Sequence, residues 1–342
     1  MALFPCSRLP SGVHCANRRW LLMLCACVLT GLIYFMKGKR LSAISIPSMS
    51  LSEVEKRGPA VSVKGLPIKT PWGAPLVWGD SESSARRREE FGNHNVHIGL
   101  AILAVGKYNH FLHRLIYTAE LHFLLNFYVT YYILTDRPRE LDPSPMLGPT
   151  RELKVVPVAE MPGWDKLGLR RMALLAAIIG DRIHSEMDYV FCIDADQEFS
   201  NAVGAEILGK LTATLHPEFY GKPRYNYPYE EDPDSMAFVA DGEGDYYYTS
   251  EFYGGLCSEV LALTRACSLL ILQDQERSVI PELLEESYLN RYLVNCRPST
   301  VLSPEYSWWD SPETPEVPTP RIHSIGRQCL STGNVKGDIY AC

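Results

Sequence analysis

The sequence predicts a large open α/β sheet, and two observations carry that expectation. Apolar runs of strand length alternate with helical stripes in the order β-α-β-β-α-β between His97 and Ile193. The 342 residues, 46% of them hydrophobic, suffice for one large domain of roughly 240 residues with an N-terminal appendage. The first run, His97 to Val105 (HIGLAILAV), ends in Gly106-Lys107, as suits a strand buried on both faces of a parallel sheet. After it, Leu112, Leu115, Ile116, Ala119 and Phe123 recur at spacings of three and four, making one apolar stripe from Phe111 to about Leu125. Strands are expected at Tyr128–Thr135, Leu153–Val158 and Tyr189–Ile193, with a helix over Leu167–Met187 before the last. Open α/β sheets take ligands at the carboxyl ends of their strands, so chemistry is expected there.

A net charge of -7 with no long basic stripe argues against a nucleic-acid binder, and a small or neutral polar substrate fits better. Trp20 to Met36 is an apolar run of about 17 residues, near the lower limit for a helix that crosses a bilayer. Arg8, Arg18 and Arg19 precede it while Lys37, Lys39 and Arg40 follow, so charge leaves its orientation open. A cleaved signal peptide would want a shorter apolar region and a small-residue cleavage site; an uncleaved anchor is the expectation. Its shortness suits the thinner membranes of the early secretory pathway. The stretch 37–95, rich in Ser, Pro, Lys and Glu, is expected as a stem, with Thr70 to Trp78 an apolar island packed on the domain surface. No cysteine stands in a CxxC pair or at zinc spacing, and Cys192, inside an apolar strand, is expected as a small buried hydrophobe. The remaining cysteines after the anchor allow a disulfide or two in an oxidising compartment.

Four stretches have residue types suited to chemistry. In Tyr189 to Phe199 (YVFCIDADQEF) a buried strand runs straight into Asp194-Ala195-Asp196. Two carboxylates one residue apart on an extended backbone can share a hard divalent cation that neutralises a diphosphate leaving group; a solvated turn has the same pattern. In Pro281 to Leu293 (PELLEESYLNRYL), Glu282, Glu285 and Glu286 either complement the helix dipole or place Glu286 beside an anomeric carbon. Gly242 to Tyr248, with Gly254-Gly255 later, reads as a sugar-stacking stretch or as a hairpin and core strand. His216, in Leu215-His216-Pro217, reads as a ligand or as a surface or core histidine.

Together these stretches resemble glycosyltransferase family 6, the retaining α-1,3-galactosyl and α-1,3-N-acetylgalactosaminyl transferases that include blood-group ABO, Forssman and isogloboside synthases. The likeness runs from about Thr70 to Trp308 through VGKY (Val105–Tyr108), YYILTD (Tyr131–Asp136), WDKLGLRRM (Trp164–Met172), DAD (Asp194–Asp196), LHPEFYG (Leu215–Gly221), EGDYYY (Glu243–Tyr248), EESYLN (Glu285–Asn290) and VLSPEY (Val301–Tyr306). It implies a GT-A fold, which is Rossmann-like and binds nucleotide-sugars, in a single-pass type II protein of the Golgi membrane. Residues 1–19 would be a cytoplasmic tail, 20–36 a signal-anchor, 37–95 the stem and 96–342 the luminal catalytic domain. The resemblance also implies Mn2+, a UDP-Gal or UDP-GalNAc donor, and a terminal β-galactoside acceptor on lipid or protein. By the same likeness Asp194 and Asp196 would hold the metal and, with Ala195, the nucleotide. Leu103, Ala104, Val105 and Tyr108 would hold the uridine, and Arg171 would meet the donor. Glu286 would be the catalytic carboxylate beside the acceptor, which His216 and Pro228 would also contact.

The chain departs from the family pattern in several places. Leu103 replaces a Phe beside the uracil, Tyr288 a His, and Leu283-Leu284 a Trp-His pair, which implies an altered acceptor pocket. Thr249-Ser250-Glu251 falls where small residues or a His-Ala-Ala type triplet separate Gal from GalNAc, and Glu251 adds bulk and charge there. Gln197 resembles the galactosyl-type members and favours Gal. Arg327 and Lys336 are the candidates for a basic C-terminal tail that folds over the diphosphate. The expected activity is hexose transfer with retention to the 3-hydroxyl of a β-galactoside; the alternative is an inactive or re-specialised member that binds nucleotide or glycan.

Overall fold

The computed structural model describes residues 64–92, 95–159 and 167–327. The expected anchor at 20–36, the stem up to residue 63, Trp164 to Lys166 and Lys336 lie outside these, and no helix among the described residues is long and apolar enough to cross a membrane.

Eight strands form one mixed, mostly parallel sheet. In chain order they are β1 (Leu76–Val77), β2 (His97–Ala104), β3 (Tyr128–Thr135), β4 (Arg151–Pro157), β5 (Tyr189–Asp194), β7 (Leu211–Leu215), β8 (Tyr248–Leu256) and β9 (Thr300–Leu302). The spatial order is β1-β9-β7-β8-β5-β2-β3-β4, and only β8 runs against its neighbours. Strands β6 (Gln197–Phe199) and β10 (Ile322–Ser324) pair antiparallel as a separate ribbon. The helices are α1 (Glu82–Gly92), α2 (Leu112–His122), α3 (Gly168–Ile178), α4 (Cys257–Glu276) and α5 (Leu284–Asn295), with α3 continuing through a π-helical turn at Ile179–Ile183.

The expected order from β2 to β5 is present with its boundaries shifted by a few residues. Period-two side chains of one strand feed two cores: Ile98, Leu100, Ile102 and Ala104 join one that includes the α2 stripe Leu112, Leu115, Ile116 and Ala119. Ala101, Leu103 and Val105 join the other, with Met172 and Leu175 of α3, Leu263 and Ile271 of α4, and Leu289 and Leu293 of α5. Helices therefore cover both faces, which is why β2 reads as unbroken apolar sequence.

The apolar island expected within the stem is an edge of this sheet. Leu76 pairs with Val301 and Val77 with Leu302, while Trp78 is buried and donates its indole N–H to the Pro67 carbonyl. The Arg/Glu cluster after it forms α1, whose Arg87 and Arg88 reach Glu206 and backbone carbonyls of neighbouring loops. Cys192, Cys257 and Cys267 are buried free thiols, and Cys296 is exposed. Burial pushes the Cys192 thiol up to about 12, as befits an inert core residue.

Candidate active site

Strand register gathers the acids. Leu103 of β2 lies beside Asp194 of β5, and Ile193 lies beside Phe252 of the reversed strand β8. The start of β8 (Tyr248 to Glu251) thus sits at the carboxyl ends of β2, β5 and β7, where the last residues of β7 lead into His216. Just beyond β2, Gly106 takes φ +60, a conformation that favours glycine, and turns the chain into the 3-10 segment bearing Tyr108. Asp136 holds that turn by accepting from the Gly106 N–H and the Asn109 amide. Tyr108 is half-buried; burial and then the charges of Asp196 and Asp194 raise its hydroxyl pKa, which places its ring by the acid pair. Leu103, Ala104, Val105, Tyr108, Asp194, Ala195 and Asp196 are therefore brought together.

Arg171 of α3 is buried and committed to two acids: Asp194 Oδ1 at 2.5 Å and Glu285 Oε1 at 2.9 Å. Glu285 and Glu286 share a helical turn but diverge, because neighbours on a helix point about 100° apart. Leu284, at the head of α5, adopts φ 47, a region a branched side chain rarely takes, and the two acids follow it directly. Glu286 Oε2 accepts from the Ser250 N–H at 2.8 Å and the Ser250 hydroxyl at 3.0 Å. Asn290, one turn on, donates to the Glu286 and Tyr248 carbonyls and accepts from the Tyr248 N–H, fixing α5 against β8.

Electrostatics single this group out. Burial pushes Glu286 up to about 7 against the Ser250 N–H and Arg327, and pushes Glu285 up to about 7 against Arg171. Asp194 and Asp196 are also raised, first by loss of solvent; Asp194 and Glu251 then add to the rise at Asp196. Carboxylates this under-compensated fit a divalent cation, which would restore their charged form. Among the described residues no group of three His, Cys, Asp or Glu converges on one ion. A cation held by Asp194 and Asp196 alone would take its other positions from water or phosphate, as hard cations permit.

His216 is buried among the rings of Phe219, Tyr247 and Trp309, and burial holds its imidazole neutral, with a pKa near 3. Its Nδ1 has no hydrogen-bond partner among the described residues, and neither has Glu285 Oε2. Pro228 stands between Tyr227 and Tyr229, whose rings pack on the same Tyr247, and Leu283 packs against this cluster. Tyr247 and Tyr248 are buried in the manner of a core strand, whereas half-buried Tyr246 meets half-buried Trp72 edge-on beside the main core. Tyr288 sends its hydroxyl to Asp274 of α4 at 2.9 Å and is a core residue.

Residues 32–325 match the family model described as Glycosyltransferase family 6. The chain belongs to glycosyltransferase family 6. Globoside alpha-1,3-N-acetylgalactosaminyltransferase 1 of Gallus gallus is 39% identical over 266 residues, covering 78% of this chain and 77% of the relative. Histo-blood group ABO system transferase 1 of Rattus norvegicus is 40% identical over 241 residues (70% and 69%), and alpha-1,3-galactosyltransferase 2 of Homo sapiens 37% over 257 (74% and 75%). This family 6 member is accordingly a hexosyltransferase.

Glu286 and the Asp pair stand out in the sequence, but Ser250 as the group that holds Glu286, Ser307 and Ser324 as partners of Glu251, and Gln197 as a partner of Ser324 do not. Their only signal is polarity inside apolar surroundings. A cavity of about 410 Å³ beside Arg88, His122 and Phe127 lies before β3 begins, at the amino ends of the parallel strands and away from these acids.

Proposed function

We propose that this GT-A-type transferase moves galactose, with N-acetylgalactosamine as the other candidate, from its UDP-sugar to the 3-hydroxyl of a terminal β-galactoside, with retention. The observation that carries it is the convergence of Asp194, Asp196, Arg171, Glu285 and Glu286 at one end of the sheet, with buried polar atoms of Glu285 and His216 that a ligand would satisfy. Leu103, Ala104, Val105 and Tyr108 would cradle the nucleoside, and Arg171 would orient the donor. Asp194 and Asp196 would hold manganese, which supplies charge neutralisation for the departing diphosphate.

Ionised Glu286, kept in place by Ser250, would face the anomeric carbon and stabilise its developing positive charge, either as nucleophile or as ion-pair partner. Neutral His216 and Pro228 would receive the acceptor sugar against the Tyr247 cluster. Three relatives of about the same identity, two of which name an N-acetylgalactosaminyl or galactosyl transfer, support a donor of this kind. The apolar run at 20–36 supports a type II Golgi anchor with the catalytic unit in the lumen. The test is Asp196→Asn: manganese-dependent turnover should vanish while UDP-independent folding persists, and normal turnover would remove the metal role from this acid.

A further inference from the structure

Glu251 lies on β8 between the Ser250 that holds Glu286 and the Phe252 that pairs with β5. Its carboxylate is buried and turns to the chain that follows β9: Oε2 accepts from the Ser307 hydroxyl at 2.6 Å, and Oε1 accepts from the Ser324 hydroxyl and the Arg327 Nε, both at 3.2 Å. Gln197, the residue after the acid pair, donates to the same Ser324 hydroxyl at 3.0 Å and pairs with Ser324 across β6 and β10.

The segment so held lies directly on the acid pair. The Ile325 N–H donates to the Asp196 carbonyl at 2.9 Å, and Gly326 sits so close that a Cβ there would come within 2.1 Å of Asp196 Oδ2. Arg327 is thereby fixed between Glu251 and the Trp309 ring, 5.5 Å from its centroid, where its charge reaches Asp194, Asp196, Glu286 and His216. A buried carboxylate with three side-chain partners, two of them serines with no other charge to serve, is built to hold something.

We propose that Glu251 is a positioning residue, which clips residues 322–327 onto the Asp194–Asp196 pair before any donor arrives and presets Arg327 beside the place of the diphosphate. The effect on donor binding rests on the transferase reading; the clip itself does not. In this chain the added carboxylate therefore does its work through Arg327, and residues 322–327 lie against the acid pair as part of the fold of the free protein.

The test uses hydrogen exchange and UDP binding with manganese on the full-length chain. Glu251→Gln should speed exchange of the Ile325 amide by about tenfold or more and leave the β5 amides unchanged. Ser307→Ala removes one hydrogen bond of the clip, spares the carboxylate, and should speed the same amide to a smaller degree; it decides the matter if Glu251→Gln fails to fold. UDP affinity should fall about tenfold in Glu251→Gln and in Arg327→Ala, and the double variant should fall no further than Arg327→Ala alone. Unchanged Ile325 exchange, or losses of affinity that add in the double variant, would overturn the proposal. Absent turnover by the wild-type protein with the exchange effect intact would overturn the transferase reading and leave the clip standing.

Discussion

Glu286 is a carboxylate that burial pushes up to about 7, and its proposed role needs it ionised. Its kcat/KM should therefore rise with pH through about 7 and level off above, as a free-enzyme ionisation does, whereas an ordinary carboxylate would already be level near pH 6. A profile flat from pH 5.5 to 8 would place the reacting charge elsewhere. At this scale the acid pair was legible, because an apolar strand that runs into Asp194-Ala195-Asp196 leaves both acids at a sheet end. The separate partners of Glu285 and Glu286 were not, since Arg171 and Ser250 come from α3 and β8 and meet α5 only in the folded chain.

Helix α5 shows what a departure from a family pattern does and does not alter. Tyr288 faces α4, where its hydroxyl shares Asp274 with Ser235, the Met236 N–H and Arg277. Tyr288→Phe should cost about 1 kcal/mol of stability, one hydrogen bond among several to a charged acceptor, and leave acceptor KM unchanged. A large rise in acceptor KM would show Tyr288 lining the acceptor pocket after all. Of the two departures, Leu283 packs on the Tyr227–Tyr229–Tyr247 cluster, whereas Tyr288 faces α4. Periodicity could place α5 and its apolar stripe, yet it could not say which neighbour each polar residue would meet. For the same reason Leu76–Val77 stands out in the sequence only as part of an apolar island: a two-residue edge strand has no period of its own, and its pairing with β9 spans most of the chain.

For the molecule as a whole, the site concentrates acid charge that the fold must offset. Asp194, Asp196, Glu285 and Glu286 are all raised in the folded chain, so between about pH 4.5 and 7 they keep protons that the unfolded chain has released. Stability of the metal-free protein should fall as pH rises through that window. Buried neutral His216, held near 3, works the opposite way below its unfolded value of about 6.5, and it is one group against four. The melting temperature of the metal-free protein should thus be lower at pH 7.5 than at pH 5.5, and Glu286→Gln should flatten that slope. A melting temperature that climbs across the window would contradict the burial of these acids. The α/β class and the order from β2 to β5 could be read from apolar runs because both faces of the sheet are covered. The reversal of β8 could not, although it brings Ser250 and Glu251 to the acids, because direction within a sheet leaves no mark on a strand's composition.

Sugar transfer is measured by incubating the protein with manganese, UDP-Gal or UDP-GalNAc and a panel of β-galactoside acceptors, and following UDP release beside a Glu286→Ala control. Acceptor-dependent release, greater with UDP-Gal and lost in the control, is the predicted result. Release unaffected by Glu286→Ala would remove the catalytic role from this carboxylate, and no release from a folded protein that binds UDP would overturn the transfer of galactose to these acceptors.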